Sequence, residues 1–573
     1  IISEEDEVRL ANLIYYPEKM INQIKQANEY TEDWQKTAVY RLVQICREVS
    51  SKYTRSKVRK KMPKEFSGVI DELLYVDNTD DNKTEYYSEL INTLIDVRVA
   101  DSFIVVICSL IRSLTIDNLH ILGDIFDRGP RPDIILEELM HFHDVDIQWG
   151  NHDISWMGAA TGNRACICNV LRMALGYNGF DVLEDGYGIN LRPLSMFAER
   201  VYRDDPCTCF LPQILDKNIY DAVDPKLAAK MHKAIAVLQY KEEGQIIKRH
   251  PEYGMEERIL LSAIRYDRGT VTIDGKEYPM RDMNFPTVDP ADPLRLTDEE
   301  EELLHTLELS FRHNARLHEH VRFLYSNGSM YKCCNSNLLY HGCIPMTENR
   351  EFDGLMVGGK MYRGKELMDF IDTQVKNAYF LPEDAPEKEA CRDFMWYLWN
   401  GAKSPVFGKD KNRSFEHYFI EDPEVMRETM NPYYQLSEEE ETCDMILKEF
   451  GLPTKGSHII NGHMPVKIKS GETPIRAGGK LFIIDGGLSK AYQERTGIAG
   501  YTLIFNSHHL ALAEHKPFDP ERERTPKVYI VEKMQKRITV ADTDEGKELA
   551  GRIEDLKELL KAYRSGLLKE RVR

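Results

Sequence analysis

Two carboxylates, an arginine, an amide and an imidazole crowd into one short stretch of this chain. Residues 119 to 153 read LHILGDIFDRGPRPDIILEELMHFHDVDIQWGNHD and carry Asp124, Asp127, Arg128, Asn151 and His152. Oxygen and imidazole donors beside an arginine can hold a hard metal and a phosphate together. Two more imidazoles follow the same device later in the chain: His341 in NLLYHGCIP and His463 in HIINGHMPVK, each behind an apolar run and next to a glycine. One carboxylate (Asp124), one amide oxygen (Asn151) and two imidazoles suit Mn, Fe or Zn better than Mg or Ca alone.

The elements that must present these groups can be read around them. Leu119 to Leu122 and Val145 to Trp149 are apolar runs, and the segment between them has helix length and opens with Pro130 and Pro132. This predicts a βαβ unit whose strands deliver polar residues at their carboxyl ends, where open α/β sheets bind ligands. KLFIIDGG (480 to 487) predicts a further strand, ending at Asp485. Taken singly, a histidine after a strand is a turn residue or a satisfied core group, and an Asp-Arg pair is a salt bridge. The ordered set, each member behind an apolar strand, favours a site.

The bulk properties bound what the site can serve. The chain has 573 residues, 42% hydrophobic and 29% charged, with a net charge of −19, which is ordinary for a soluble globular enzyme of several segments. The acidic balance excludes a nucleic-acid partner, which needs a basic surface, and obliges an anion site to carry its own cations. The apolar run Phe103 to Ile111 is too short to span a bilayer, which takes about 20 residues, and no signal-peptide pattern opens the chain. An odd count of 11 cysteines predicts free thiols and a reducing cytoplasm. The pairs Cys166/Cys168 and Cys207/Cys209 have tighter spacing than usual zinc ligands.

Along the chain, Ser3 and Thr31 predict helix caps before apolar-periodic segments. Residues 55 to 64 are basic and read as a solvated helix or linker face, or as a phosphate-facing patch. Phe66 to Leu114 is again helical, with a polar break at Asp77 to Lys83. Ile154 to Ala160 is small and apolar, suiting a helix packed close behind the site. Thr297 predicts the cap of the acidic start 298 to 302, which complements the helix dipole, and Ser437 predicts another such cap. Tyr501 to Phe505 and Leu510 to Glu514 predict a hairpin around Asn506-Ser507. Asp544 to Arg571 predicts an amphipathic helix for packing or self-association.

GDxxDRG and GNHD together resemble the calcineurin-like metallophosphoesterases, a group that includes the protein Ser/Thr phosphatases. HILGDIFDRGPRPDIIL, DIQWGNHDISWMGAA, LLYHGCIPM and WYLWNGAKSPVFGKDK are similar more specifically to the class III fructose-1,6-bisphosphatases, over most of the chain. The resemblance implies an α/β fold: a four-layer αββα sandwich with a large helical insertion. Its segments would be a helical lead-in at 1–115, core at 116–206, a mainly helical insertion at 207–335, core at 336–520, and a C-terminal strand and amphipathic helix at 521–573. It implies Asp124 bridging two metal ions, Mn2+ with Mg2+, Fe or Zn as alternatives, and Asn151, His341 and His463 completing the second metal's shell. Two such metals about 3.5 to 4 Å apart can hold a bridging hydroxide for in-line attack. His152 would be the general acid oriented by Asp127, and Arg128 would clamp the phosphate. For a second phosphate, Arg164, Lys403, Lys409 and Lys411 are candidate cations.

The implied function is hydrolysis of fructose 1,6-bisphosphate in gluconeogenesis by a cytoplasmic homo-oligomer, with a small phosphorylated sugar as partner and no nucleic acid or membrane. A phosphoprotein phosphatase, a dinucleotide polyphosphate hydrolase and a catalytically dead homologue are the alternatives. One departure stands out. The superfamily's D-x-H motif for the first metal is absent from the sequence; Asp117-Asn118-Leu119-His120 has the wrong spacing and places its histidine within a strand. The chain opens at Ile1 rather than Met, so the motif is expected upstream, and an incomplete or empty metal site is expected in the chain as given.

Overall fold

A computed structural model describes residues 3–75, 81–214, 224–517 and 526–568. The chain divides into two compact units, one of residues 1–119 and 142–145, the other of residues 120–141 and 146–573.

The first unit is helical. Ser3 Oγ accepts from Asp6 N and Thr31 Oγ1 from Trp34 N, capping the helices Glu4–Tyr15 and Glu32–Ser50 and satisfying N–H groups that the first turn leaves unpaired. Val39, Leu42, Val43 and Cys46 recur at helical spacing and are buried with Phe103, Ile104 and Ile107 of the helix Ala100–Thr115. The basic stretch forms the helix Arg55–Lys61, and its cations pair with acids of the same unit: Arg55 and Arg59 with Asp71, Lys57 and Lys61 with Asp117. Hydrogen bonds from Arg59 and then Arg55 hold the Asp71 carboxyl down at about 2. Most of the expected polar break, residues 76 to 80, lies outside the described residues.

The second unit mixes helix and sheet. Its largest sheet has the strand order Ile475–Arg476, Leu481–Ile483, His458–Asn461, Asn337–Tyr340, Tyr331–Cys334. The central strand His458–Asn461 runs parallel to both neighbours, pairing Ile459 with Leu481 and His458 with Asn337, while the outer strands are antiparallel. Both faces of parallel strands are covered, so these read as unbroken apolar runs. Val145–Gln148 pairs in parallel with Gly328–Ser329. A third sheet is the expected hairpin Gly500–Phe505 and His509–His515, extended by Lys527–Lys533; Asn506 Oδ1 accepts from the N–H groups of His508 and His509 and closes the turn. Leu122, Leu339, Ile460, Phe482 and Leu510 form one buried cluster at the foot of the motif strands.

Several elements differ from expectation. Residues 207 to 335 are mainly helical, dominated by Pro225–Arg249, yet they contain an antiparallel sheet of Ile264–Arg265, Thr270–Ile273 and Lys276–Pro279. Its turn is Asp274-Gly275, with φ of 49° and 77°, a two-residue hairpin that Asp-Gly favours. Ser437 does not cap the acidic helix Glu440–Glu449; it ends the turn Tyr433–Leu436, and Glu439 stands at the cap without a side-chain bond. The C-terminal helix runs Asp544–Arg564, ending before Gly566 at φ 76° rather than at Arg571. Leu549, Ile553 and Leu556 stay exposed on it; residues 569 to 573 lie outside the described residues. All eleven cysteines are free thiols. Cys166 and Cys168 are buried in the helix Arg164–Gly176, where burial raises their thiols.

The long helix Pro225–Arg249 buries charge as well as apolar surface. Lys233 pairs with Asp205 and Asp282, and Lys241 with Glu300. Glu242 beside them is buried, and burial, only partly offset by Arg164 and Arg249, pushes its carboxyl up to about 7. An unfolded glutamate ionises at about 4.3. Stability therefore falls as pH rises from about 4 to 7, while the unfolded chain has released a proton that the folded chain retains. Glu242→Gln should raise Tm by on the order of a few degrees at pH 8 and leave it unchanged at pH 4. Equal shifts at both pH values in thermal unfolding would contradict this.

Candidate metal and phosphate site

Two glycines let the motif loops touch. Gly123 adopts φ 80°, and a Cβ there would stand 2.4 Å from Gly150 N. A Cβ on Gly150 would stand 2.1 Å from Asp124 Oδ1. Any larger residue at either place forces the loops apart. The contact is then tied by Asp153, fully buried, whose Oδ2 accepts from Asp124 N at 2.7 Å and Gly150 N at 3.0 Å, and whose Oδ1 accepts from Phe126 N at 3.3 Å. Burial first, and then the Asp124 charge, pushes the Asp153 carboxyl up. His152, in the first turn of the helix Asn151–Ala160, donates its backbone N–H to Asp124 Oδ1 at 3.1 Å. Gly158 on the same helix would place a Cβ 2.7 Å from Cys166 Sγ, the close packing that the small residues of 154 to 160 predict.

The two later histidines converge on Asp124. His341 Nε2 lies 3.2 Å from Asp124 Oδ2 and 3.2 Å from His463 Nδ1. The other nitrogen of each ring faces a backbone carbonyl: His341 Nδ1 that of Leu122, His463 Nε2 that of Phe407 at 3.1 Å. A carbonyl can only accept, so each carbonyl fixes a tautomer and leaves Nε2 of His341 and Nδ1 of His463 turned inward. Burial raises the Asp124 carboxyl, but the charges of His341 and His152 outweigh it and hold it well below the usual range. Burial lowers His341, but Asp124 outweighs that and lifts it to about 9; burial and then the His341 charge bring His463 down to about 3.

This donor set fits a divalent metal. Asp124, His341 and His463 form one group of ligand atoms within 4.8 Å of one another, and Asp124, Asp127 and His152 form another. Asn151 Oδ1 is buried with no hydrogen-bond partner; a buried amide oxygen left without a donor is costly unless a cation takes it. Asp485, at the end of Leu481–Ile483, belongs to the same neighbourhood: burial pushes its carboxyl up to about 6, and Asp124 and Asp127 add to the rise. Residue types alone marked Asp485 as a strand end and did not assign it to the site.

The groups expected to face a phosphate sit beside Asp124 and the converging histidines. His152 Nε2 stands 3.1 Å from Asp127 Oδ1, and Arg128 Nε 3.4 Å from the same oxygen. The His152 ring packs edge-on against Trp399, centroids 5.0 Å apart. A cleft opens here, lined by Phe126, Arg128, His152, Trp156 and Tyr177. The candidate cations for a second phosphate are dispersed. Lys409 pairs with Glu428 at 2.6 Å and lies near enough to lower His463. Lys403 pairs with Asp353, Lys411 with Asp274, and Arg164 with Glu301 and Glu308. The structure thus brings Asp124, Asp127, Arg128, Asn151, His152, His341 and His463 together, with Lys409 at the margin and Arg164, Lys403 and Lys411 in ion pairs elsewhere. Among the described residues no helix is long and apolar enough to cross a membrane.

Gly150→Ala should strip most of the bound metal, measured by elemental analysis after loading with Mn2+, because its Cβ displaces Asp124. Gly129→Ala, whose Cβ would meet nothing within 4 Å, should retain it. Equal metal content in the two variants would refute the close-approach argument.

Residues 1–565 match the family model described as Firmicute fructose-1,6-bisphosphatase. The "Fructose-1,6-bisphosphatase class 3" of Clostridium tetani (strain Massachusetts / E88) is 50% identical over 578 residues, covering 100% of this chain and 87% of that protein. The proteins so named from Bacteroides fragilis (strain YCH46) and Alkaliphilus metalliredigens (strain QYMF) are each 50% identical over 579 residues, with the same coverage. No solved structure matches the chain.

Proposed function

The chain belongs to the class 3 fructose-1,6-bisphosphatase family, and on that premise we propose that it hydrolyses the 1-phosphate ester of fructose 1,6-bisphosphate, giving fructose 6-phosphate and phosphate. The observation that carries the mechanism is the convergence of Asp124 Oδ2, His341 Nε2 and His463 Nδ1 beside the buried, unpartnered Asn151 Oδ1. These four residues would hold one divalent ion, and Asp124 could serve a second; the reading takes Mn2+ first, with Mg2+, Fe or Zn as alternatives. When bound, such an ion supplies Lewis acidity that offsets charge on the phosphate and makes water a stronger nucleophile at neutral pH.

The chain's own residues supply the rest. Arg128 offers a planar fork of N–H donors that matches phosphate oxygens. His152 gives its proton to the C1 oxygen as the P–O bond breaks, so that fructose 6-phosphate leaves as an alcohol. Asp127, 3.1 Å from His152 Nε2, orients the ring. A water oxygen adds to phosphorus as the bond to the C1 oxygen breaks, its protons leaving with phosphate or to solvent, and no covalent bond to the protein is required. Lys409, beside His463, is the best placed of the cations for the second phosphate; like Arg164, Lys403 and Lys411, it would have to leave an acidic partner, here Glu428.

The same reading gives the second unit the architecture of a metallophosphoesterase sandwich, with segment bounds 116–206 and 336–520 for the core and 207–335 for the insertion. It assigns the enzyme to gluconeogenesis in the cytoplasm, as a homo-oligomer acting on a small phosphorylated sugar without nucleic acid. Parallel strands meeting at His458–Asn461, with ligands at their carboxyl ends, support that architecture.

His152→Ala should lower kcat by roughly 10² to 10⁴-fold while metal content stays that of the parent. His341→Ala should lose metal together with activity. Comparable metal loss in both variants would remove His152 from the acid role. In a Mn2+ assay comparing fructose 1,6-bisphosphate, a phosphopeptide and a dinucleotide polyphosphate, turnover should be confined to the sugar bisphosphate; a preferred phosphopeptide or dinucleotide would overturn the substrate assignment.

A further inference from the structure

Two tyrosines from distant parts of the chain lie over the guanidinium of Arg128. Its Cζ is 4.4 Å from the ring centroid of Tyr177 and 5.0 Å from that of Tyr492. Tyr177 follows the helix Arg164–Gly176 as its C-terminal cap, and Tyr492 sits on the short helix Lys490–Thr496. The segment leading to Tyr492 is shaped for this approach. Gly487 adopts φ 74°, and a Cβ there would stand 2.2 Å from Tyr492 Cβ. The Ser489 hydroxyl donates to the Arg128 carbonyl at 3.4 Å, so the same short segment meets Arg128 at backbone and side chain. Burial first, then the nearby Asp127 charge, raises the Tyr492 phenol.

The plainer account of each ring is packing. It does not explain why both rings choose the one guanidinium of the site. An aromatic face attracts a cation but offers it no acceptor in the ring plane. Rings over a guanidinium therefore restrain its plane without occupying its edge, and the edge carries the N–H donors that a phosphate needs. A long arginine side chain otherwise loses much rotamer freedom on meeting its ligand.

We propose that Tyr177 and Tyr492 are positioning residues that hold the Arg128 guanidinium edge-on to the substrate phosphate. The proposal rests on the reading of Arg128 as the phosphate clamp and is tested so that the two can fail separately.

The experiment is steady-state kinetics of the Mn2+-loaded full chain with fructose 1,6-bisphosphate. Tyr177→Leu should raise KM about tenfold with kcat within about threefold, and Tyr177→Phe should restore KM, since the ring and not the hydroxyl acts. Tyr492→Leu should likewise raise KM, and Tyr492→Phe should restore it, since its ring also acts through the Arg128 guanidinium. In an Arg128→Ala background, Tyr177→Leu should change KM by less than about twofold, the non-additivity expected of residues acting through one group. An undiminished effect of Tyr177→Leu in that background, or an unchanged KM in Tyr177→Leu alone, would overturn the positioning role. An unchanged KM in Arg128→Ala would instead overturn the clamp reading itself. If Tyr177→Leu unfolds, as judged by Tm, Tyr177→Met offers an unbranched, gap-filling apolar chain without an aromatic face and decides by the same KM criteria.

Discussion

The carboxylate of Asp153 is the constraint on which the site depends. It is fully buried and accepts from three backbone N–H groups on two loops that are otherwise separate in sequence. Those loops carry Asp124, Asp127 and Arg128 on one side and Asn151 and His152 on the other. With no water to replace it, its loss would leave three buried donors without acceptors. Gly123 and Gly150 make the tie possible by letting backbone approach backbone. The position of each ligand thus follows from a group that touches no substrate.

Later elements are registered to this knot through hydrogen bonds to backbone. The Leu122 carbonyl, one residue before Gly123, holds His341, and the Phe407 carbonyl holds His463. His341 therefore reports to the turn itself, and His463 meets it through His341 Nε2, 3.2 Å from its own Nδ1. The arrangement also resolves an electrostatic difficulty. A chain of net charge −19 gathers Asp124, Asp127, Asp153 and Asp485 within one buried neighbourhood. Like charges so close, in a poorly solvated place, push protons back onto Asp153 and Asp485, and the histidines facing Asp124 balance part of the remainder. The site favours cations before any is bound.

Much of this was legible in residue types and spacing, for a physical reason. Strand, glycine and ligand must be consecutive for a ligand to sit at a strand end, so GD, GNHD, HG and GH are written locally. Helix caps at Ser3, Thr31 and Thr297 were legible likewise, because a cap involves residues three apart. What was not legible depends on distant partners. Tyr177, Tyr492 and Trp399 meet the site through tertiary packing that no local pattern encodes. Arg164 and Lys403 carry the right charge for an anion, but acids from other elements claim them. Ser437 has the chemistry of a cap and lies two residues too early. The Asp274-Gly275 hairpin was legible and hidden only by the helices around it.

Three of the reactive residues share a backbone feature with further reach. Asp124, Arg128 and His463 adopt φ of 57°, 56° and 66°, the left-handed region that side chains with a Cβ occupy at a cost of roughly 1 kcal/mol or more. Each stands where glycine would be more comfortable. Directed evolution for heat resistance alone would therefore find these positions inviting, and each such gain would erase a proposed ligand or the proposed clamp. Variants that gain thermostability at these three positions mark the difference between what the fold prefers and what the chemistry requires.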